Sequence, residues 1–142
     1  VIYITQGNAR RAEILYQKLL SITQKEPVYY GNYGRCLYNQ KRLRDAIEAY
    51  ENAIKLDSSK PNRLISVGQI YYELKEYDRA LTYFIRALEL DPQNRDYLTF
   101  TVELAELLGD ADRAHQSLKK LVELDPYNEE FRKKMERLQV QK

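Results

Sequence analysis

The chain has no tryptophan, and cysteine, histidine and methionine occur once each. A lone Cys36 has no partner for an internal disulfide, so nothing in the sequence requires an oxidising compartment. With His115 as the only histidine, no His/Cys spacing suits a metal site, and no glycine-rich run could cradle a phosphate. No metal and no cofactor are expected. Asn-x-Ser/Thr sequons are absent. No apolar stretch approaches the roughly 20 residues that a membrane helix needs, so membrane insertion is not expected. A net charge of +2 is too small to mark a nucleic-acid binder, which usually carries a concentrated basic face. No signal-peptide pattern opens the chain, which points to the cytoplasm. Val1 is not an initiator methionine, however, so the sequence reads as a fragment or processed product, and an address for the periplasm or for export is the alternative.

Hydrophobic residues make up 44% of the chain and charged residues 31%, the profile of a folded helical protein rather than a disordered one. The four prolines and five glycines are few, and most fall at regular intervals. Ala12, Ala46, Ala80 and Ala114 recur at one constant spacing, and aligning on them brings further columns into register. Leu56, Leu90 and Leu124 share a column, each followed by an aspartate: Asp57, Asp91 and Asp125. Pro92 and Pro126 stand where the earlier unit has Ser58. Tyr16, Tyr50, Phe84 and Leu118 form another column. Leu19, Ala53, Ala87 and Leu121 form a fourth, and Gly34 matches Gly68. The glycine and alanine columns suit a close crossing of two helices. The aromatic column fills the gap between one helix pair and the next. Leu-Asp-Pro ends a helix, because proline disfavours helical geometry in the residue before it. Between these marks the apolar residues return at three and four, as in Ala46, Ile47, Tyr50, Ala53 and Ile54.

These columns closely resemble the tetratricopeptide repeat, whose helix–turn–helix unit has the same period. The resemblance covers nearly the whole chain and implies an all-α fold, a right-handed α-solenoid of stacked helix pairs. Residues 27–60, 61–94 and 95–128 read as full repeats in a single array over 1–142. Residues 1–26 read as a partial repeat, the tail of a first helix (Val1–Thr5) followed by a complete second helix, with Tyr3, Gly7, Ala12 and Tyr16 in the expected columns. Residues 129–142 read as a capping helix with Phe131, Met135 and Leu138 on its buried stripe. The fourth unit has Val102 in place of glycine and Ala105 where a tyrosine is usual, so looser packing is expected there. Cutting the first repeat would leave part of the apolar face of the 8–23 helix open. More chain, or a second copy of the protein, is expected to cover it.

No convergent set of titratable groups can be assembled, so the chain is not expected to be an enzyme. Cys36 sits two positions after Gly34 on the packing side of its helix and reads as a structural thiol. His115 reads as a surface or interhelical residue, and Glu103 with Glu106 as a solvated face. The resemblance does imply a groove, lined by the first helix of each unit. In this register its side chains include Asn32, Arg35, Tyr38 and Asn39, then Asn62, Ser66, Gln69, Tyr72 and Glu73, then Thr99, Glu103 and Glu106. Amides, hydroxyls and tyrosines suit hydrogen bonding to a peptide backbone and give flat contact area at low entropic cost. Asp96, Glu103 and Glu106 place acid in the fourth unit and Arg35 places a cation in the second. A basic end of a bound segment is therefore expected near the former and an acidic or polar end near the latter.

Chaperone-binding members of the family hold a C-terminal carboxylate with lysine and asparagine in one repeat, asparagine in the next, and lysine and arginine in the third. Here Asn32 matches the middle asparagine, but Asn62 and Ser66 stand where the two cations should be. Shifting by one repeat gives Gly31, Arg35, Ser66, Asp96 and Phe100, a worse match, so that clamp is not expected. The function implied is a scaffold or adaptor that holds a peptide or helical segment of a partner protein. The alternatives are a substrate-selecting, non-catalytic arm of a larger enzyme and a small secretion chaperone. Self-association through the open N-terminal face forms a third.

Overall fold

The computed structural model describes the backbone of residues 2–140 and the side chains of 7–139. The described residues form eight α-helices and no strand: α1 (Ile2–Ile22), α2 (Pro27–Asn39), α3 (Leu43–Leu56), α4 (Pro61–Glu73), α5 (Tyr77–Leu90), α6 (Arg95–Leu108), α7 (Ala111–Leu124) and α8 (Glu129–Val140). The Cα positions group into two compact units, Val1–Ile70 and Tyr71–Lys142, with the boundary inside α4.

In the first unit α1 packs on α2 and α2 on α3. Pro27 and Pro61 stand at the first positions of α2 and α4, where an amide hydrogen would lack a partner in any case. The crossing of α2 and α3 is close because Gly34 has no side chain. A Cβ there would lie 3.0 Å from the Tyr50 ring. Ala46 and Ala53 are fully buried, flanked by buried Ile47, Tyr50 and Ile54. α1 is one continuous helix, which corrects the expectation of a helix tail, a turn and a second helix over residues 1–26. The register explains how it differs. Lys41, Lys75 and Gly109 share one column of the repeat and hold φ of 64°, 62° and 73° at the hairpin turns. Gly7 is the preceding member of that column but is helical, with no left-handed φ. A glycine accepts helical geometry as well as the left-handed corner, and here the helix runs on through it. Along α1, Ile14, Leu15 and Ile22 are exposed.

In the second unit α5 packs on α6, α6 on α7 and α7 on α8. Leu98, Val102, Leu118 and Leu121 form a buried cluster, and Leu88, Leu124, Phe131, Met135 and Leu138 pack around it. The looser fourth unit expected from the sequence is not found: Val102 is 2% exposed and Ala105 is fully buried. Valine supplies the volume that a glycine column leaves to neighbours, and alanine removes the bulk of the usual tyrosine beside it. Helix starts repeat as well. The Asn94 side chain accepts from the Tyr97 amide (3.1 Å) and Asn128 from the Phe131 amide (3.2 Å), each also donating to the aspartate three residues earlier. Asp110 caps α7 by accepting from the Arg113 amide at 3.1 Å.

Candidate functional site

Arg35, Tyr38 and Asn39 lie three and four residues apart, which puts them on one face of α2; Ser66 and Gln69 share a face of α4 in the same way. The first unit brings all five together around one open cavity of about 270 Å³, with Tyr50 of α3 and Ile70 in its wall. Tyr50 is 9% exposed. Burial pushes its phenol above the usual tyrosine range, partly offset by a hydrogen bond with Ser66 and by the Arg35 charge. Arg35, Asn39 and Gln69 are exposed, and their side chains have no hydrogen-bond or ion-pair partner among the described residues. Asn32 is half-buried and Asn62 exposed, and neither lines this cavity. The Asn62 carbonyl accepts from the Ser66 hydroxyl at 3.0 Å.

In the second unit Tyr72 and Glu73 are exposed at the end of α4, and the Tyr72 ring stacks obliquely on Tyr77 at 5.4 Å between centroids. Thr99 is half-buried and donates back to the Arg95 carbonyl at 2.8 Å. Glu103 is exposed. Glu106 is drawn toward α8, its carboxylate 4.0 Å from the Lys134 ammonium, and the two line a cavity of about 400 Å³ with Arg137 and Leu138. Lys134 and Arg137 were missed in the sequence, although the signal was present. Counting the repeat register on from Glu129 gives them the same positions that Ser66 and Gln69 hold in the unit starting at Pro61. The acidic character expected of the fourth unit is therefore met by cations from the next helix.

A second polar assembly had no sequence forecast. Glu13, 7% exposed, occupies the column that Ile47 and Leu81 fill with apolar side chains. Its carboxylate accepts from the Gln40 amide at 2.8 Å, from the Arg42 guanidinium and from Gln17 at 3.4 Å. Its partners Gln40 and Arg42 stand in the α2–α3 turn, so the residue joins α1 to that turn and reads as structural. Cys36 is buried, and burial raises its thiol pKa. Among the described residues no group of three or more His, Cys, Asp or Glu is placed to hold a metal ion. No described helix is long and apolar enough to cross a membrane.

Helix pairs whose turn residues Lys41, Lys75 and Gly109 and whose buried alanines return in register define an all-α helical-repeat protein of the solenoid class. The chain belongs to the tetratricopeptide-repeat family: more than half of it, residues 5–87, matches the model described as "Anaphase-promoting complex, cyclosome, subunit 3", and residues 68–129 match the model described as "Tetratricopeptide repeat". No curated protein sequence matches it. Solved structures share the fold at low identity. The crystal structure of MamA aligns with a TM-score of 0.76 and 19% identity, over 94% of this chain and 78% of that one. YrrB, described as a TPR protein with an unusual peptide-binding site, gives 0.67 and 24%, over 84% and 62%. The first TPR of Spaghetti (RPAP3), bound to the HSP90 peptide SRMEEVD, gives 0.64 and 17%, over 82% and 93%.

Proposed function

We propose that this chain is a protein-interaction module, a scaffold or adaptor that holds a segment of a partner protein against the first helices of its repeats. One observation carries the reading most of the way. Five side chains picked out by the repeat register, Arg35, Tyr38, Asn39, Ser66 and Gln69, line one cavity of the first unit. Three of them, Arg35, Asn39 and Gln69, have no hydrogen-bond or ion-pair partner among the described residues. Exposed amides beside tyrosine rings suit an extended backbone, whose own N–H and C=O groups need partners once water leaves. Among solved structures of the same fold, those of YrrB and RPAP3 are described by their peptide site and bound peptide, which supports a like use here. In the second unit Tyr72, Glu73, Thr99, Glu103 and Glu106 are the assigned contacts, and Asn32 and Asn62 complete the set in the first. The whole of 1–142 is assigned to one array of repeats, 1–26 partial, 27–60, 61–94 and 95–128 full, and 129–142 as the cap. The reading gives the chain no catalytic step of its own.

The test is selection of binding segments from a displayed library of natural protein fragments, followed by affinity measurements with Tyr38→Ala, Gln69→Ala and Tyr72→Ala proteins. Truncating a central tyrosine is expected to weaken binding by about 1–2 kcal/mol, or roughly five- to thirtyfold. Segments that bind all three variants as well as the parent would show that the contact surface lies elsewhere.

A further inference from the structure

We infer that the cavity between α2 and α4 of the first unit selects an acidic side chain, aspartate or glutamate, on the bound segment, with the Arg35 guanidinium as its receptor. The inference rests on the segment-binding reading and adds the chemistry that the cavity prefers.

The lining holds one charged group, Arg35, among two amides, two phenols and a hydroxyl. No carboxylate lines it, and Arg35 has no ion-pair partner among the described residues. Four other arginines are already held by acids. Arg42 is held by Glu13 and Asp45, Arg63 by Asp57, Arg95 by Asp125 and Arg113 by Asp110. In one cavity of the second unit, Glu106 already faces Lys134. Arg35 is thus a cation in a recess with no acid of its own, set beside the free amides of Asn39 and Gln69. A carboxylate entering there can take two parallel N–H···O bonds from the guanidinium, while the amides remain available to the backbone on either side of it. The hydrophobic floor of Tyr50 and Ile70, both buried, lowers the local dielectric and strengthens that pairing relative to open solvent. A neutral amide of the same shape loses the charge-assisted part. A lysine side chain meets repulsion.

The experiment uses the whole chain, isotopically labelled, titrated with acetylated and amidated pentapeptides Ala-Ser-X-Ser-Ala in which X is glutamate, glutamine, lysine or phosphoserine. A fifth peptide is the glutamine form with a free C-terminal carboxylate. The Arg35 Nε–Hε signal and the Ser66 and Gln69 amides are followed. The glutamate peptide is expected to shift these signals and to bind about tenfold more tightly than the glutamine peptide. In Arg35→Gln protein that preference is expected to fall to within about twofold, since only the charge-assisted part is removed. Arg35 is exposed, so the variant keeps its fold, which an unchanged thermal melt verifies. Equal affinity for glutamate and glutamine overturns the acid preference while leaving segment binding standing. So does a preference that survives in Arg35→Gln. Tighter binding of phosphoserine or of the free terminus than of glutamate overturns the assignment to a side-chain carboxylate. Absence of shifts with every peptide at millimolar concentration overturns it together with the reading beneath it.

Discussion

The carboxylate of Glu13 and the side-chain amide of Gln40 meet at 2.8 Å, joining the middle of α1 to the turn after α2 across 27 residues of sequence. Arg42 from the same turn donates to the same carboxylate. Glu13→Ala leaves those two donors without their acceptor and opens a gap in a buried column, and should cost about 1–3 kcal/mol of stability. Glu13→Leu restores the residue type of the equivalent Ile47 and Leu81. Since Arg42 is largely exposed and can regain water, this change should cost markedly less than alanine. Urea unfolding of the two variants side by side checks the order.

Gly34→Ala should destabilise by about 1–3 kcal/mol, because the added methyl would press on the buried Tyr50 ring. Gly34→Ala combined with Tyr50→Leu should recover part of that loss, a coupling that a double-mutant cycle measures. Gly7→Ala provides the opposite case. Nothing lies within 4 Å of a Cβ at Gly7 and the residue is helical, so the change should raise stability by roughly 0.5–1 kcal/mol.

How far the sequence could be read follows from these residues. The constant repeat period located the helix pairs, the buried alanines and the aromatic column, since each is a demand that one unit makes of its own neighbours in register. Glu13 was invisible because its partners sit 27 and 29 residues away, and no local pattern announces a polar substitution in an apolar column as satisfied. Continuity of α1 was hidden for a related reason. Glycine fits a helix as well as a left-handed corner, so Gly7 standing in the turn column does not by itself fix a turn. The Lys134–Glu106 contact was legible in principle, had the register been carried past residue 128.

That contact separates the two acids of α6. Glu106 is already partnered and Glu103 is exposed, so Glu103→Lys should weaken binding of a lysine-bearing probe peptide more than Glu106→Lys does. The effect should fade as salt rises above about 0.15 M, where exposed charges are screened over roughly 8 Å. Isothermal titration at two ionic strengths reads it. Equal effects of the two substitutions would mean that Lys134 does not hold Glu106 in solution.

Tyr50 sets an alkaline limit. Burial raises its phenol pKa, so the folded state prefers the neutral form. The corresponding stabilisation is complete below the ordinary tyrosine value of about 10 and is lost as pH climbs through the folded value. Between pH 9 and 12, roughly the window of tyrosine ionisation, the parent protein should lose stability more steeply than Tyr50→Phe. Comparing their urea midpoints cancels the tyrosines and lysines that the two share.

The Cys36 thiol should react slowly with a disulfide reagent at neutral pH and become fast only on unfolding, because it is buried and its thiolate is disfavoured. Absorbance of the released chromophore with and without denaturant measures the contrast. A fast reaction in the folded protein would show that the α2–α3 crossing opens readily.

Two of the hairpin corners are made by lysines, Lys41 and Lys75, held at φ of 64° and 62°, a geometry that costs a residue with a side chain about 1 kcal/mol. Only Gly109 meets that geometry without penalty. The corners therefore do not choose their own bend; the helices on either side impose it and the lysines comply. A protein built this way keeps thermal headroom in reserve. Putting glycine at those two corners would release it without altering any side chain assigned to a partner.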